Sequence, residues 1–190
     1  MSHTPIQAQA MTKDEFRVLA ANGDHLLELI HGEVVEKMPT ELHGKLAALI
    51  AYFLLTFIRT EGIAAHVGVE VRHEAPDDAY NSRLPDVSAR LSIHPPQQTG
   101  AVSRMPDLAV EIQSPADRPH QVRQKALYYL QKGCAVVWLI YPIAQRADVC
   151  QLDEAGNLAI AGLAREHALT AEAALPGFTL PLEDLFEDIG

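Results

Sequence analysis

Positive charge is scarce in this chain. Its 190 residues carry 15 Lys and Arg against 25 Asp and Glu, a net charge of -10 at pH 7. That balance excludes a generic nucleic-acid coat, which attracts phosphate with a surplus of cations, so any role on nucleic acid needs a local basic group or a metal ion. Cysteine is nearly absent. Cys134 and Cys150 stand in apolar surroundings without CxxC or other ligand spacing, which excludes a structural zinc or a disulfide framework and leaves two free thiols of a reducing compartment. No HExxH occurs among the nine histidines. The opening MSHTPIQAQA has neither a basic nor an apolar leader region, and polar residues interrupt the apolar runs before the ~20 needed to span a bilayer. The expectation is a cytoplasmic protein without a membrane partner. Internal repeats and low-complexity tracts are also missing.

What is present supports one core. A chain 48% hydrophobic with ordinary Gly and Pro content is long enough to bury a sizeable interior in a single domain. Residues 1–11 read as a flexible tail and 12–190 as the domain. Thr12 and Glu15 fit a capping box opening a short helix that Gly23 can stop. LLELI and EVVEKM flank His31-Gly32, so residues 26–38 read as a hairpin. Leu42, Leu46, Leu49, Ile50, Phe53 and Phe57 recur at helical spacing and predict a helix over 41–60. Val-rich alternation over 62–75 and the stretch 86–91 predict two strands, and residues 94–104 a loop. Leu108 to Gln113 reads as a central strand. Ser114 to Asp117 reads as a turn with Asp117 as N-cap, 118–132 as a helix closed by Gly133, and CAVVWLIYP as a second buried strand, which together make a βαβ unit. A hairpin around DEAGN and a short helix near 182–186 complete one α/β domain on a mixed sheet.

One residue conflicts with this pattern. Glu111 places a carboxylate in the middle of the apolar strand, where burial costs several kcal/mol unless a base, a proton or a cation neutralises it. A metal site would use its neighbours as well. Asp86 opens another strand 25 residues earlier, far enough away in the chain to reach Glu111 across a sheet. Asp107 cannot share an ion with Glu111, because four residues of one extended strand separate them by about 13 Å. Gln113 points to the same face as Glu111 in an extended chain, and the Ile112 carbonyl is a further oxygen ligand.

The run LLELIHGEVVE, His43-Gly44, RLPDVS, PDLAVEIQSPAD, Lys125 with Tyr128 or Tyr129, VVWLIYP and LPGFTLPLEDLF together resemble the Uma-type putative restriction endonuclease family of the PD-(D/E)XK nuclease superfamily, from about residue 12 to the C-terminus. The resemblance implies a restriction-endonuclease-like mixed β-sheet core flanked by helices, divalent-metal chemistry with Mg²⁺ or Mn²⁺, nucleic acid (DNA) as substrate, and a homodimer. It matches Asp86 to the Asp of the PD motif, Glu111 to the acid of (D/E)XK, and Glu33 to a further acidic position. The superfamily lysine falls on Gln113, a departure from the pattern.

Lys125 is the candidate replacement. It lies about 60° around the helix from Val122, on the edge of the stripe formed by Val122, Ala126, Tyr129 and Leu130, where its stem can follow the apolar border and bring the ammonium to the site. The expected assignment is then Asp86, Glu111, Gln113 and Lys125 as the catalytic set, with Asp86, Glu111, Ile112 and Glu33 as metal ligands. Hard oxygen ligands suit Mg²⁺, and an ammonium beside them can orient water and offset developing charge. Each residue also has a structural reading: Asp86 as a strand-start residue, Glu111 as an ion-pair partner of Lys125 or Arg123, Glu33 on a solvent face, His43 as a hydrogen-bonded core histidine. Arg72, Arg83, Arg104, Arg118 and Arg123 are the expected cations of a cleft mouth. The alternatives to a nuclease are a silent module keeping the fold for binding or oligomerisation, and a small-molecule phosphoesterase with a closed pocket.

Overall fold

In a computed structural model the described residues are 10–190, apart from 22, 24, 116, 188 and 190; the expected tail therefore lies mostly outside the described residues. Helix α1 (Lys13–Ala21) begins with the predicted reciprocal cap. The Thr12 N–H donates to Glu15 Oε2 at 2.8 Å and the Glu15 N–H to Thr12 Oγ1 at 3.4 Å, satisfying two N-terminal donors. Strands β1 (Leu27–Ile30) and β2 (Glu33–Glu36) form the antiparallel hairpin. His31 and Gly32 both take positive φ, 52° and 81°, as a two-residue turn matched to strand twist requires.

Helix α2 (Glu41–Thr60) has Thr40 as N-cap, its hydroxyl accepting from the His43 N–H at 3.3 Å. Among the described residues it is the one helix long and apolar enough to cross a membrane. Here its stripe of Leu46, Ala47, Ile50, Leu54 and Ile58 is buried in the core against the sheet.

That sheet has six strands in the order β3 (Ala65–Val69), β4 (Val87–Leu91), β5 (Leu108–Ile112), β6 (Val136–Tyr141), β7 (Arg146–Leu152), β8 (Leu158–Leu163). Only β5 and β6 run parallel, joined through α3 (Pro119–Gln131). Strand β3 is shorter than the alternation predicts, because Glu70 adopts a φ of 53° and breaks the extended run. Asp117 does not cap α3 either. Its carboxylate accepts from the Ser114 N–H at 2.8 Å, closing the turn, and Arg118 is the N-cap residue, its N–H donating to Gln121 at 3.2 Å. Strands β9 (Ala168–Thr170) and β10 (Thr179–Pro181) pair antiparallel, and α4 (Leu182–Phe186) follows.

Both faces of the sheet are covered. Leu108, Val110 and Ile112 of β5 join the α2 and α4 side with Trp138 and Ile140, whereas Ala109 joins the α3 side with Val137, Leu139, Val122, Ala126 and Tyr129. Side chains alternate along a strand, so Glu111 belongs with Ala109 under α3. Cys134 and Cys150 are buried free thiols.

Because Leu54 is fully buried and Thr56 is exposed on the same helix, Leu54→Ala should cost about 2–5 kcal/mol and Thr56→Ala no more than ~0.5 kcal/mol. Urea unfolding of the two variants measures the difference.

Candidate active site

The register of the central strands builds the site. Val87 pairs with Val110 in an antiparallel ladder, so the preceding residue, Asp86, comes opposite Glu111. Asp86 is 1% exposed and Glu111 4%. Two carboxylates at such depth demand counter-charges, and different parts of the chain supply them.

Around Asp86, the Ile112 N–H donates to Oδ2 at 2.6 Å and His43 Nε2 from α2 lies 2.9 Å from the same oxygen. The Lys37 ammonium, just past β2, contacts Oδ1, and also donates to Glu70 Oε2 and to the Leu84 carbonyl, each at 2.7 Å. Around Glu111, Tyr129 Oη donates to Oε1 at 2.7 Å and Lys125 Nζ to Oε2 at 3.0 Å. Lys125 also reaches Glu28 Oε2 at 2.8 Å, while Glu28 Oε1 accepts from the Leu84 N–H at 3.0 Å. Lys125 and Tyr129 are one helical turn apart, which places both on the same face of α3.

Burial and neighbouring charges drive the two acids apart. Burial opposes ionisation of Asp86, but the hydrogen bond from His43 and the charge of Lys37 prevail and hold it at about 2. For Glu111 burial prevails over Lys125, and the nearby charges of Asp86 and Glu28 add to it, pushing it up to about 7. Burial also disfavours the charged forms of Lys37 and Lys125, yet the surrounding carboxylates raise both above the ordinary lysine value. His43 is raised by Asp86 against the effect of burial.

Glu28, Lys37, His43, Asp86, Glu111 and Lys125 line a pocket of about 520 Å³, together with residues of the hairpin and of the turn before α3; Glu70 and Tyr129 are not among its lining residues. Asp86, Glu111, Ile112 and Lys125 come together there, and Glu33 is an exposed residue of its wall. Gln113 is not among the lining residues. The strand ends at Ile112, and the Gln113 amide donates to the Asp117 carbonyl at 3.3 Å. Of the five arginines expected at a cleft mouth only Arg83 lines this pocket. Arg72 donates to the Leu27 carbonyl at 2.8 Å, and Arg104 pairs with Asp107. Asp107 also accepts from the Leu91 N–H at 2.7 Å, a structural role consistent with its exclusion above.

Sequence reasoning did not single out Glu28, Lys37 or Glu70, and it placed Tyr129 in the apolar stripe and, with Tyr128 as the alternative, in the family pattern, without a role at the site. Glu28 carried a readable signal, an acid between leucines in LLELI like Glu111 in LAVEI. Lys37 and Glu70 follow strands and carried none.

The donor chemistry fits a divalent cation. His43, Glu70 and Asp86 each offer a ligand atom, all within 4.8 Å of one another. Carboxylates suit Mg²⁺ and Mn²⁺, and an imidazole in the set moves the preference toward the transition metal. Lys37 already bridges Glu70 and Asp86, so a cation would compete with its ammonium for these oxygens.

Comparison with known proteins agrees with this architecture. No curated protein matches the chain. A crystal structure described as a putative nuclease belonging to DUF820 from Anabaena variabilis ATCC 29413 is similar with a TM-score of 0.76 at 23% identity, covering 93% of this chain and 98% of that one. The likeness extends through the sheet and its flanking helices, the restriction-endonuclease-like core expected from the sequence. The model of the Uma2 family, described as "Putative restriction endonuclease", matches residues 14–183, from α1 to the start of α4 and across every pocket residue named above. With that span matched, the chain belongs to the Uma2 family.

Proposed function

We propose that the protein hydrolyses phosphodiester bonds of nucleic acid, DNA in the first instance, with Mg²⁺ or Mn²⁺ as cofactor. The observation that carries this reading is the juxtaposition of Asp86 and Glu111 on adjacent strands in one pocket, with the Lys125 ammonium on Glu111. Asp86, His43 and Glu70 would hold the cation, with Glu111, the Ile112 carbonyl and Glu33 as further oxygens of the pocket that Asp86 and His43 line. When bound, the cation supplies Lewis-acid charge to the phosphoryl oxygens.

The protein residues divide the remaining work. Asp86 stays ionised at every working pH, and the Ile112 N–H and His43 fix its orientation. Glu111 titrates near neutrality, which suits a general base that accepts a proton from the attacking water. Lys125 holds Glu111 in place and offers positive charge to the developing phosphorane, the task that Gln113 cannot perform. Tyr129 fixes the other Glu111 oxygen. A second copy of the chain is proposed as the assembly partner, on the strength of the family alone.

One observation favours the silent module instead: Lys37, Lys125 and the buried acids already neutralise one another without any bound ion. Incubation of single-stranded, duplex and branched DNA and of RNA with Mg²⁺, Mn²⁺ or chelator separates the two. Metal-dependent cleavage is expected, and no cleavage of any substrate would leave the binding module.

Three outcomes follow from the geometry. Mn²⁺ at 100 times its Kd should stabilise the wild type by about 2.7 kcal/mol through mass action, read as a rise in Tm, and Asp86→Asn should abolish the rise. Lys125→Met should keep that metal-dependent rise while turnover falls on the order of 10²–10³-fold, the loss found for one aimed electrostatic group; full activity in this variant would remove Lys125 from the mechanism. The third concerns pH. The folded value of Glu111, about 7, lies above its ordinary 4.5, so its contribution to stability is present below pH 4.5 and is lost as pH rises toward 7. Unfolding at pH 4.5 and pH 7.5 should show that loss in the metal-free wild type and a smaller one in Glu111→Gln.

A further inference from the structure

One cation of the pocket is not neutralised by a direct contact. Arg83 is 2% exposed, yet its Nε and Nη1 have no hydrogen-bond partner among the described residues. Its backbone is fixed by paired bonds to His73, 2.9 Å from its own N–H and 2.8 Å to its carbonyl. Its guanidinium carbon stands 4.4 Å from the centroid of the Tyr128 ring, a stacking contact that satisfies no N–H donor.

Two acids of its surroundings, Glu28 and, beyond Tyr128, Asp78, are engaged elsewhere. Glu28, which feels the charge of Arg83, gives its oxygens to the Leu84 N–H and to Lys125. Asp78 accepts from the Tyr80 N–H, from Asn81 and from the Tyr128 hydroxyl. Buried polar groups are almost always satisfied, and two buried guanidinium donors without partners, on a residue that lines a pocket, call for a ligand. Lys37 and Lys125 already face two carboxylates each, whereas Arg83, which also lines the pocket, has two donor nitrogens without a partner among the described residues.

A planar fork of N–H donors matches the oxygens of a phosphate, which can take two parallel hydrogen bonds from it. We propose that Arg83 is a phosphate receptor, binding a non-bridging oxygen of the ester that enters the pocket and so setting its position beside Asp86 and Glu111. This rests on the phosphodiester reading above for the identity of the ester, and on Arg83 alone for the anion site.

The test uses inorganic phosphate as probe on the metal-free, full-length protein at constant ionic strength, with chloride as the reference anion. Wild type should show a saturable rise in Tm and saturable broadening of the ³¹P line. Arg83→Lys, which keeps the charge and loses the fork, should weaken the apparent affinity at least tenfold, and Arg83→Met should abolish it. Without phosphate, Arg83→Met should melt no lower than wild type, because it removes a buried charge that lacks a hydrogen-bond partner. If Arg83→Met does not fold, the Arg83→Lys comparison decides. An unsaturable effect in wild type, or equal affinity in wild type and Arg83→Lys, overturns the proposal. The two readings fail separately: cleavage by wild type with kcat and KM unchanged in Arg83→Lys sinks the receptor and leaves the nuclease. Arg83-dependent phosphate binding without cleavage of any substrate does the reverse.

Discussion

Two carboxylates facing each other across a buried antiparallel ladder set the terms for the rest of the molecule. Asp86 and Glu111 lie on neighbouring strands because Val87 and Val110 pair, and neither acid can be ionised at that depth without compensation. The chain compensates from three directions: His43 comes from α2, Lys37 from the end of the hairpin, and Lys125 with Tyr129 from α3. Each of those elements is held in place by its own apolar packing or strand pairing, so the polar cluster stands where two hydrophobic cores meet the ends of β4 and β5. Alternation along β5 puts Glu111 on the α3 side while Val110 and Ile112 serve the other core, so one strand serves core and site at once.

The elements that local rules govern were legible in the sequence. The Thr12–Glu15 box, the His31-Gly32 turn and the bounds of α2 follow from capping, positive φ and a 3.6-residue period, each a short-range cause. The βαβ unit from Leu108 to Tyr141 followed from two apolar runs flanking a helical one. Of the site, Glu111 announced itself by violating its surroundings, and Asp86 by a motif. What escaped is non-local. Lys37 and Glu70 meet across 33 positions of chain, and Glu70 sits where β3 breaks at a positive φ that its residue type does not advertise. The mistaken N-cap at Asp117 has a similar cause, since an Asp can serve either the helix N-terminus or the turn before it, and the Ser114 N–H is its partner here.

The arginines teach a related lesson about charge. Their places in the sequence, flanking the site residues, suggested a basic cleft mouth, but Arg72 and Arg104 are taken up by a backbone carbonyl and by Asp107. In an acidic chain most cations are already partnered. A pocket in such a chain has few positive charges, and at this one they are Lys37, Lys125 and Arg83.

Lys37 gives this economy a further turn. Its ammonium lies between Glu70 and Asp86, among the ligand atoms a divalent ion would use, and those same acids raise its affinity for a proton. A tethered ammonium there offsets the repulsion between the metal-free carboxylates of Glu70 and Asp86. A divalent ion, with twice the charge and no side-chain entropy to lose, can displace it only where the remaining ligands reach inward, as His43 does from α2. Removing such a lysine would therefore act in opposite directions on the fold and on the ion: the apo protein would lose a neutralising charge while the metal would gain a competitor-free site. A charge that merely decorated the hairpin could not couple the two in that way.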